Sequence, residues 1–212
     1  MADPVLELHG PAGFTTIINN DWRSDQEAEI QATGLAPTNN LESAIVKDLA
    51  PGNYTAIVKG NNDTTGVALV EAYDLSSETS TSKLGNISTR AFVSTGANIV
   101  IAGFILGNGT TSDQVIVRGI GPSLTAVGVT DALADPTLEL RNNNGVVLVS
   151  NDNWQDNPSQ AAIISAAGLE PGSPLESGIA QTLAPGTYTA LLAGKDDGVG
   201  TGLVEVYSLG SE

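Results

Sequence analysis

The sequence predicts an all-β protein made of tandem jelly-roll-like antiparallel β-sandwiches with one short helix per repeat. The chain contains a long internal repeat, which is typical of a duplicated folding unit. Its apolar residues occur in short β-branched runs separated by Gly, Pro, Asn and Asp, as in strands joined by turns. Hydrophobic residues make up 41% of the chain but aromatic residues only 4%, so the core must consist of aliphatic side chains.

The repeat defines the organisation of the chain. Trp22 returns as Trp154, and residues 49–56 (LAPGNYTA) return at 183–190 (LAPGTYTA). We therefore expect a first repeat at 1–75, a polar linker at 76–84 and a second, complete sandwich at 85–212. The last segment comprises unique strands within 85–131 and the second repeat at 132–209.

Alternating or continuous apolar runs predict the strands. In the repeats, the predicted strands lie around residues 6–8 and 138–140, 14–18 and 146–149, 54–58 and 188–192, and 67–75 and 203–209. The unique segment adds predicted strands at 89–93, 98–106 and 114–120.

Each repeat also carries the signals of a short helix after its Trp. In the first repeat, Ser24 and Glu27 have the spacing of a capping box. In the second, Asn157 is a suitable N-cap and is followed by a proline at the first helical position. Gly34 and Gly168 are expected to end the two helices.

These segments resemble a known family. Residues 134–140 (ADPTLEL), 150–154 (SNDNW) and 183–189 (LAPGTYT), with the Gly-rich hairpin that follows, are similar to the bacterial pre-peptidase C-terminal domain. The resemblance implies a small antiparallel β-sandwich that accompanies secreted peptidases and surface proteins without being catalytic. It covers both repeats and, more loosely, the unique segment.

The first repeat is short of strands under this interpretation. A sandwich needs the unique strands plus a repeat, and the first repeat has no preceding copy of those strands. With four or five strands, it would leave open edges whose backbone groups lack partners. Three arrangements are open: the first repeat packs on the rest of its own chain, it accepts strands from another subunit, or the chain is part of a longer array.

Charge and composition exclude several functions. The formal net charge is −16, which opposes binding to nucleic acids. No apolar run approaches the length of about 18 residues typical of a membrane-spanning helix, so no membrane insertion is expected. The chain has no cysteine, which excludes disulfides and thiolate chemistry.

The sequence predicts no enzymatic activity and no catalytic residue. The single histidine, His9, is replaced by Arg141 in the second repeat, so a structural role is favoured over that of a general base. Three glutamates are kept in both repeats, which is unusual for catalytic acids: Glu7/Glu139, Glu42/Glu176 and Glu71/Glu205. Glu7 and Glu71 are expected to face solvent, whereas Glu42 and Glu176 could accept backbone N–H groups.

Calcium is the cofactor that the loops could bind, because hard cations prefer Asp, Asn and carbonyl oxygens. The alternative is that these side chains bond their own backbone in turns. The candidate metal ligands are Asn20, Asp21, Asp63, Asp152, Asn153, Asp156, Asp196 and Asp197. Trp22 and Trp154 could stack on a sugar, but burial under the helix is favoured.

Together these observations predict a non-catalytic extracellular or cell-surface module of bacterial type. We expect it to self-associate as a homo-oligomer, a fibre or a surface-layer subunit, through β-strand complementation. The alternative is a calcium-assisted accessory module that binds a surface glycan or a protein on behalf of a secreted enzyme.

Overall fold

The computed structural model describes residues 1–76, 84–107 and 111–210. The chain forms two compact units, Met1–Lys83 and Leu84–Glu212. Their secondary structure consists of three antiparallel sheets and a few short helices, which confirms the all-β prediction. Most of the predicted linker, residues 77–83, lies outside the described residues.

The second unit is a sandwich of two four-stranded sheets. One sheet has the strand order β5-β10-β7-β8 and the other β4-β11-β6-β9. The strands are β4 (Asn86–Val93), β5 (Val100–Leu106), β6 (Asp113–Ile120), β7 (Pro136–Asn142), β8 (Val147–Asn151), β9 (Ser177–Leu183), β10 (Gly186–Gly194) and β11 (Gly200–Ser208). The predicted strands of this unit all lie within or overlap these elements.

The core of the second unit lies between its two sheets. Leu138 and Leu140 of β7 are buried, because alternate side chains of a strand share one face. Val117 and Val204 in the other sheet belong to the same cluster of buried residues. Aromatic residues contribute little to this core, apart from the stacked rings of Phe104 and Tyr188, whose centroids lie 5.6 Å apart.

Within residues 1–76, the first unit contains one three-stranded sheet with the order β2-β1-β3. Its strands are β1 (Pro4–His9), β2 (Ile17–Asn19) and β3 (Thr55–Gly60). By the repeat, they correspond to β7, β8 and β10 of the second unit. The first unit therefore has the equivalent of one sheet, without a counterpart of β5.

The strand predicted at residues 67–75 is wrong, because this segment has no strand structure. Its equivalent in the second unit, β11, pairs with β4 on one side and β6 on the other. Residues 43–49 likewise have no strand structure, whereas their equivalent, β9, pairs with β6. Since β4 and β6 belong to the segment that occurs once, both first-unit segments lack the partners that would make them strands.

The two helices differ in their N-termini. Helix α2 (Pro158–Ala166) begins as predicted, with Asn157 Oδ1 accepting N–H groups at 3.1 and 3.3 Å. The capping box predicted for α1 (Glu27–Ala32) is wrong, because Ser24 Oγ instead donates to the Asp21 carbonyl at 2.7 Å. The N-cap is Gln26, whose side-chain amide contacts the backbone of Val46.

Gly34 and Gly168 adopt positive φ values of 74° and 66° just after the helices, as predicted for residues that end them. Of the helices within the described residues, none has the length and apolar character that crossing a membrane requires.

The absence of a strand at residues 67–75 predicts fast amide hydrogen exchange. We expect the amides of 67–74 to exchange much faster than those of 201–208, because only the second set is held in a ladder between two strands. Hydrogen exchange followed by mass spectrometry measures both segments in one sample. Residues 55–60, which pair with β1, are the internal control and should be protected more than 67–74. Equal protection of the two repeat-equivalent segments would contradict the described fold.

Candidate functional site: the open face of the first unit

The first unit exposes apolar residues whose equivalents in the second unit are buried. Val70 is 47% exposed, whereas its equivalent Val204 is fully buried. Ala56 is exposed, whereas Ala190 is 1% exposed. We call this surface the open face. Its members are Leu6, Leu8, Ala56, Val58, Val70 and Ala72, all of them half-buried or exposed.

The sheet that carries most of the open face also has a free edge. In the second unit, β10 lies between β7 and β5. Among the described residues, the equivalent strand β3 pairs only with β1, so its other edge has no strand partner. Such an edge presents backbone N–H and C=O groups to which a further strand can pair.

In the second unit, a charged contact joins the unique strand β6 to its neighbour β11, which belongs to the repeat. Arg118 on β6 donates to Glu205 Oε2 from Nε at 2.9 Å and from Nη2 at 2.5 Å. Arg118 Nη2 also donates to the Tyr207 hydroxyl at 3.0 Å, and that hydroxyl donates to Glu205 Oε1 at 3.0 Å. Burial, together with the nearby Glu205 carboxylate, raises the pKa of the Tyr207 phenol.

Glu71 is exposed, as predicted, whereas its equivalent Glu205, for which no exposure was predicted, is only 9% exposed. Glu205 lies on the central strand β11, and the outer face of that sheet is covered by a second apolar cluster beneath α2. The Glu7 side chain is also largely covered, at 15% exposed, because Lys59 and His9 both bind it. The Lys59 contact, followed by the His9 contact, lowers the pKa of Glu7.

A second carboxylate of the repeat is completely buried against the unique segment. Glu176 Oε1 accepts the backbone N–H groups of Gly121 and Ser123 at 3.0 and 2.9 Å, and the Ser123 hydroxyl at 2.6 Å. Its Oε2 accepts the N–H of Ser173 at 3.0 Å. This arrangement agrees with the prediction that Glu176 accepts backbone N–H groups.

The single histidine lies in a chain of polar contacts on the first unit. Thr16 Oγ1 lies 3.2 Å from His9 Nδ1, and His9 Nε2 lies 3.1 Å from Glu7 Oε2. The order hydroxyl, imidazole, carboxylate is that of a nucleophile, base and acid. In the second repeat, however, Arg141 replaces His9 and still binds the equivalent Glu139 at 2.5 Å. The common property of the two sites is therefore a cationic or polar partner for a strand glutamate.

The predicted calcium ligands of the second repeat lie beside a lysine. Lys195 Nζ lies 2.6 Å from Asp152 Oδ2 and 3.7 Å from Asp135 Oδ2. The contact with Asp152 raises the pKa of Lys195. The Lys195 ammonium group thus provides, beside Asp135 and Asp152, the positive charge that a bound metal ion would provide. Asp135 and Lys195 were not among the predicted site residues, although the strict repeat of Asp3 as Asp135 could have indicated the first of them.

In the first repeat, a neutral amide replaces that lysine. Asn61, the equivalent of Lys195, donates from Nδ2 to Asp3 Oδ2 at 2.9 Å. The predicted ligands Asn20 and Asp21 contact each other, with Asn20 Nδ2 lying 3.2 Å from Asp21 Oδ2. One side-chain oxygen at each of these loop positions is buried and has no hydrogen-bond partner among the described residues; they are Oδ1 of Asp3, Asn20 and Asp21 and of the equivalent Asp135, Asp152 and Asn153.

The other predicted ligands, Asp63, Asp156, Asp196 and Asp197, lie in exposed positions. Asp63, Asp196 and Asp197 belong to short 3-10 turns and have positive φ values of 58°, 51° and 60°. Asp156 accepts from the backbone and side chain of Asn153. Within the part of the chain that the structure describes, no group of three or more His, Cys, Asp or Glu side chains could hold a metal ion.

Both tryptophans are buried, as predicted. Trp22 is 2% exposed and Trp154 9% exposed. Trp154 packs with Ile164 of α2, and the guanidinium of Arg23 lies 4.2 Å from the centre of a Trp22 ring. Neither indole offers a free face on which a sugar could stack.

The buried Glu176 contacts predict a loss of stability on truncation. Glu176→Ala should destabilise the second unit by about 3 kcal/mol or more, because several buried donors lose their acceptor together. Urea denaturation followed by the signal of Trp154 measures the effect. The control is Glu170→Ala at an exposed position, which should change stability by less than about 0.5 kcal/mol. Equal stability of the two variants would show that the Glu176 network is unimportant.

Comparisons with known proteins identify no family for this chain. No family model matches the sequence, and no curated protein matches it significantly. Among solved structures, it is similar to the pre-peptidase C-terminal domain of collagenase from Bacillus anthracis, with 11% identity and a TM-score of 0.36 over 57% of this chain and 88% of that domain. It is also similar to the infectious bursal disease virus VP2 subviral particle, with 10% identity and a TM-score of 0.23 over 97% of this chain and 56% of that one. The fold assignment rests on the strand pairings described above, and these similarities assign no role to any residue.

Proposed function

We propose that this protein is a non-catalytic structural module of an extracellular or cell-surface assembly. Its first unit is completed by strands from polypeptide outside residues 1–76, while its second unit is already a closed sandwich. The observation that carries the proposal is the open face: the repeat that has the unique strands buries its apolar side chains, and the repeat that lacks them exposes theirs.

Physical chemistry favours the covering of such a surface. Exposed contiguous apolar area is unfavourable in water and is typical of interaction surfaces. The free edge of β3 adds backbone groups that pair with an incoming strand. Covering both would satisfy the hydrogen-bonding groups and the apolar side chains together.

Self-association follows if the partner is another copy of this chain. The free edge of β3 would then pair with a different surface of the next copy, such as an edge strand of its second unit. A contact between two different surfaces is heterologous and does not close on itself unless a ring forms. It would therefore extend into a fibre or a layer, which fits a structural subunit.

The polar side chains support a structural role over a catalytic one. Glu7 and Glu139 bind strand cations, while Glu176 and Glu205 hold the sandwich together. Each of these four glutamates has a partner that gives it a structural role.

The proposal predicts that a charge on the open face prevents assembly. Val70→Lys should raise the protein concentration needed for assembly by about tenfold or more, because burying an unpaired ammonium group is strongly unfavourable. Light scattering over a concentration series, with negative-stain electron microscopy of the same samples, measures the effect.

The control for this experiment is Val127→Lys. Val127 is also an exposed valine, at 73%, but belongs to the second unit and is not a member of the open face, so this variant should assemble like the wild type. A wild-type chain that stays monomeric at every concentration would refute self-association. Equal inhibition by both variants would refute the role of the open face.

The second candidate function is a calcium-assisted accessory module that binds a protein or a surface glycan. The specific observation in its favour is the set of buried side-chain oxygens at equivalent loop positions in both repeats. In the first repeat, Asp3, Asn20 and Asp21 would supply ligands of the type that calcium prefers. In the second repeat, Lys195 neutralises the equivalent loop, so calcium should favour the first.

This candidate predicts a calcium-dependent melting temperature for the first unit. Calcium at about 100 times its dissociation constant should stabilise it by about 2.7 kcal/mol, and a chelator should reverse the effect. Asn61→Lys, which reproduces Lys195, should abolish the response, whereas Asn62→Lys at the exposed neighbouring position should retain most of it. Thermal unfolding of the wild type and both variants, with and without calcium, measures these responses. A wild type whose melting temperature does not respond to calcium would rule out the site.

A further inference from the structure

The first repeat retains the two carboxylates that, in the second unit, bind the unique strands. Glu42 is the equivalent of Glu176, and Glu71 is the equivalent of Glu205. In the second unit, their partners are side-chain and backbone groups of residues 118–123. A repeat that only needed an apolar cover would have no use for either carboxylate.

The tyrosine beside Glu71 is already oriented as in the complete unit. The Tyr73 hydroxyl donates to Glu71 Oε1 at 3.0 Å, the same contact and distance as between Tyr207 and Glu205. This hydrogen bond raises the pKa of Tyr73. Among the described residues, Glu71 forms no ion pair, whereas Glu205 binds Arg118. The arrangement lacks only the guanidinium.

The loop around Glu42 is also built as in the complete unit. Glu42 Oε2 accepts the N–H of Asn39 at 3.2 Å, as Glu176 Oε2 accepts that of Ser173. The Glu42 carbonyl accepts the N–H of Trp22 at 2.8 Å, and the same bond joins Glu176 to Trp154. In the second unit, Oε1 accepts two N–H groups of the turn that follows β6; in the first repeat, no donor to Oε1 of Glu42 occurs among the described residues.

We propose that the partner of the open face is a further strand-and-turn segment with the chemistry of residues 113–123, supplied by polypeptide outside residues 1–212. Its strand would bring an arginine to Glu71 and Tyr73. The turn after that strand would bring the backbone N–H groups of a Gly-Pro sequence to Glu42. This inference deepens the proposed function, on which it rests, by specifying the side chains that the completing strand must carry.

Stoichiometry favours additional polypeptide over simple exchange between identical chains. Each chain has two acceptor repeats but a single segment of this type. A copy that donates its segment to the first unit of a neighbour opens its own second repeat. Exchange of segments between identical chains therefore always leaves one repeat per chain without its completing segment. A further segment of the same type completes the first unit and leaves the second unit intact.

A difference between the two repeats affects which turn sequence would fit against the Glu42 loop. The position concerned is Gly172 in the second repeat. Gly172 lies so close to the turn that a Cβ placed on it would be 2.9 Å from Cβ of Ser123. The first repeat has Thr38 at this position. A complement with Gly in place of Ser123 removes this clash and keeps the backbone N–H groups that would donate to Glu42. It gives up the Ser123 hydroxyl that donates to Glu176 in the second unit, a loss that relief of the backbone-proximal clash with Thr38 outweighs.

A peptide binding experiment with the full chain tests the proposal. A fluorescently labelled peptide of residues 113–126 is titrated with protein at physiological salt, and its anisotropy is measured. We expect saturable binding that weakens by about tenfold or more in Glu71→Gln and in Glu42→Gln, since each loses a charged acceptor. Glu29→Gln, at an exposed position of α1, is the control and should bind like the wild type.

Two altered peptides sharpen the test. The Arg118→Gln peptide should bind the wild type weakly and should lose nothing further in Glu71→Gln, because the two changes remove the same contact. The Ser123→Gly peptide should bind more tightly than the native one. Equal or weaker binding of the Ser123→Gly peptide would overturn the docking of the turn against Thr38 and Glu42.

No saturable binding, or equal binding to wild type and Glu71→Gln, would overturn the proposal as a whole. The result of the peptide binding experiment can be distinguished from the result of the assembly experiment. A chain that assembles but ignores the peptide keeps its structural function with a different partner. A chain that binds the peptide yet stays monomeric has the inferred acceptor but does not self-associate.

Discussion

The structure depends on one constraint: the strands that close a sandwich lie in a segment that occurs once, while the repeat that they complete occurs twice. Backbone N–H and C=O groups need partners wherever they are buried. In the second unit, β4 and β6 supply these partners to β11, and β6 supplies them to β9. The equivalent segments of the first unit have similar sequences but form no strands. Strand formation here is therefore decided by the partner and not by local propensity.

The same constraint explains which parts of the fold could be predicted from the sequence. Alternation and turn residues predicted the strands of the second unit, because their partners lie in the same sequence. Alternation also predicted a strand at 67–75, where the residues are as suitable as those of β11, but no partner is at hand. The capping box at Ser24 failed for a related reason, since tertiary contacts of Gln26 with Val46 set the start of the helix.

The candidate site was only partly visible in the sequence. The repeat itself revealed that the first unit is short of strands, and it marked Glu42 and Glu71 as equivalents of Glu176 and Glu205. Alternation predicted that Glu7 and Glu71 face solvent. It describes one strand at a time, so it could not show that Glu205, the equivalent of Glu71, is buried by a layer on the outer face of its sheet. The pairing of Arg118 with Glu205 joins residues 87 positions apart and needs the folded structure to be seen. The first repeat has Asn61 where the second has Lys195. The sequence alone does not explain this difference, whereas the structure shows the Lys195 ammonium near both Asp135 and Asp152.

Whether the partner decides strand formation can be measured directly by hydrogen exchange on a chain whose first unit is given the missing strands. Residues 84–133 can be joined directly to Ala2, because Ala2 is the equivalent of Ala134 and this order reproduces that of the second unit. If the partner decides strand formation, the amides of residues 67–74 become protected to a degree similar to those of 201–208. Unchanged rapid exchange of 67–74 in the extended chain would contradict this prediction.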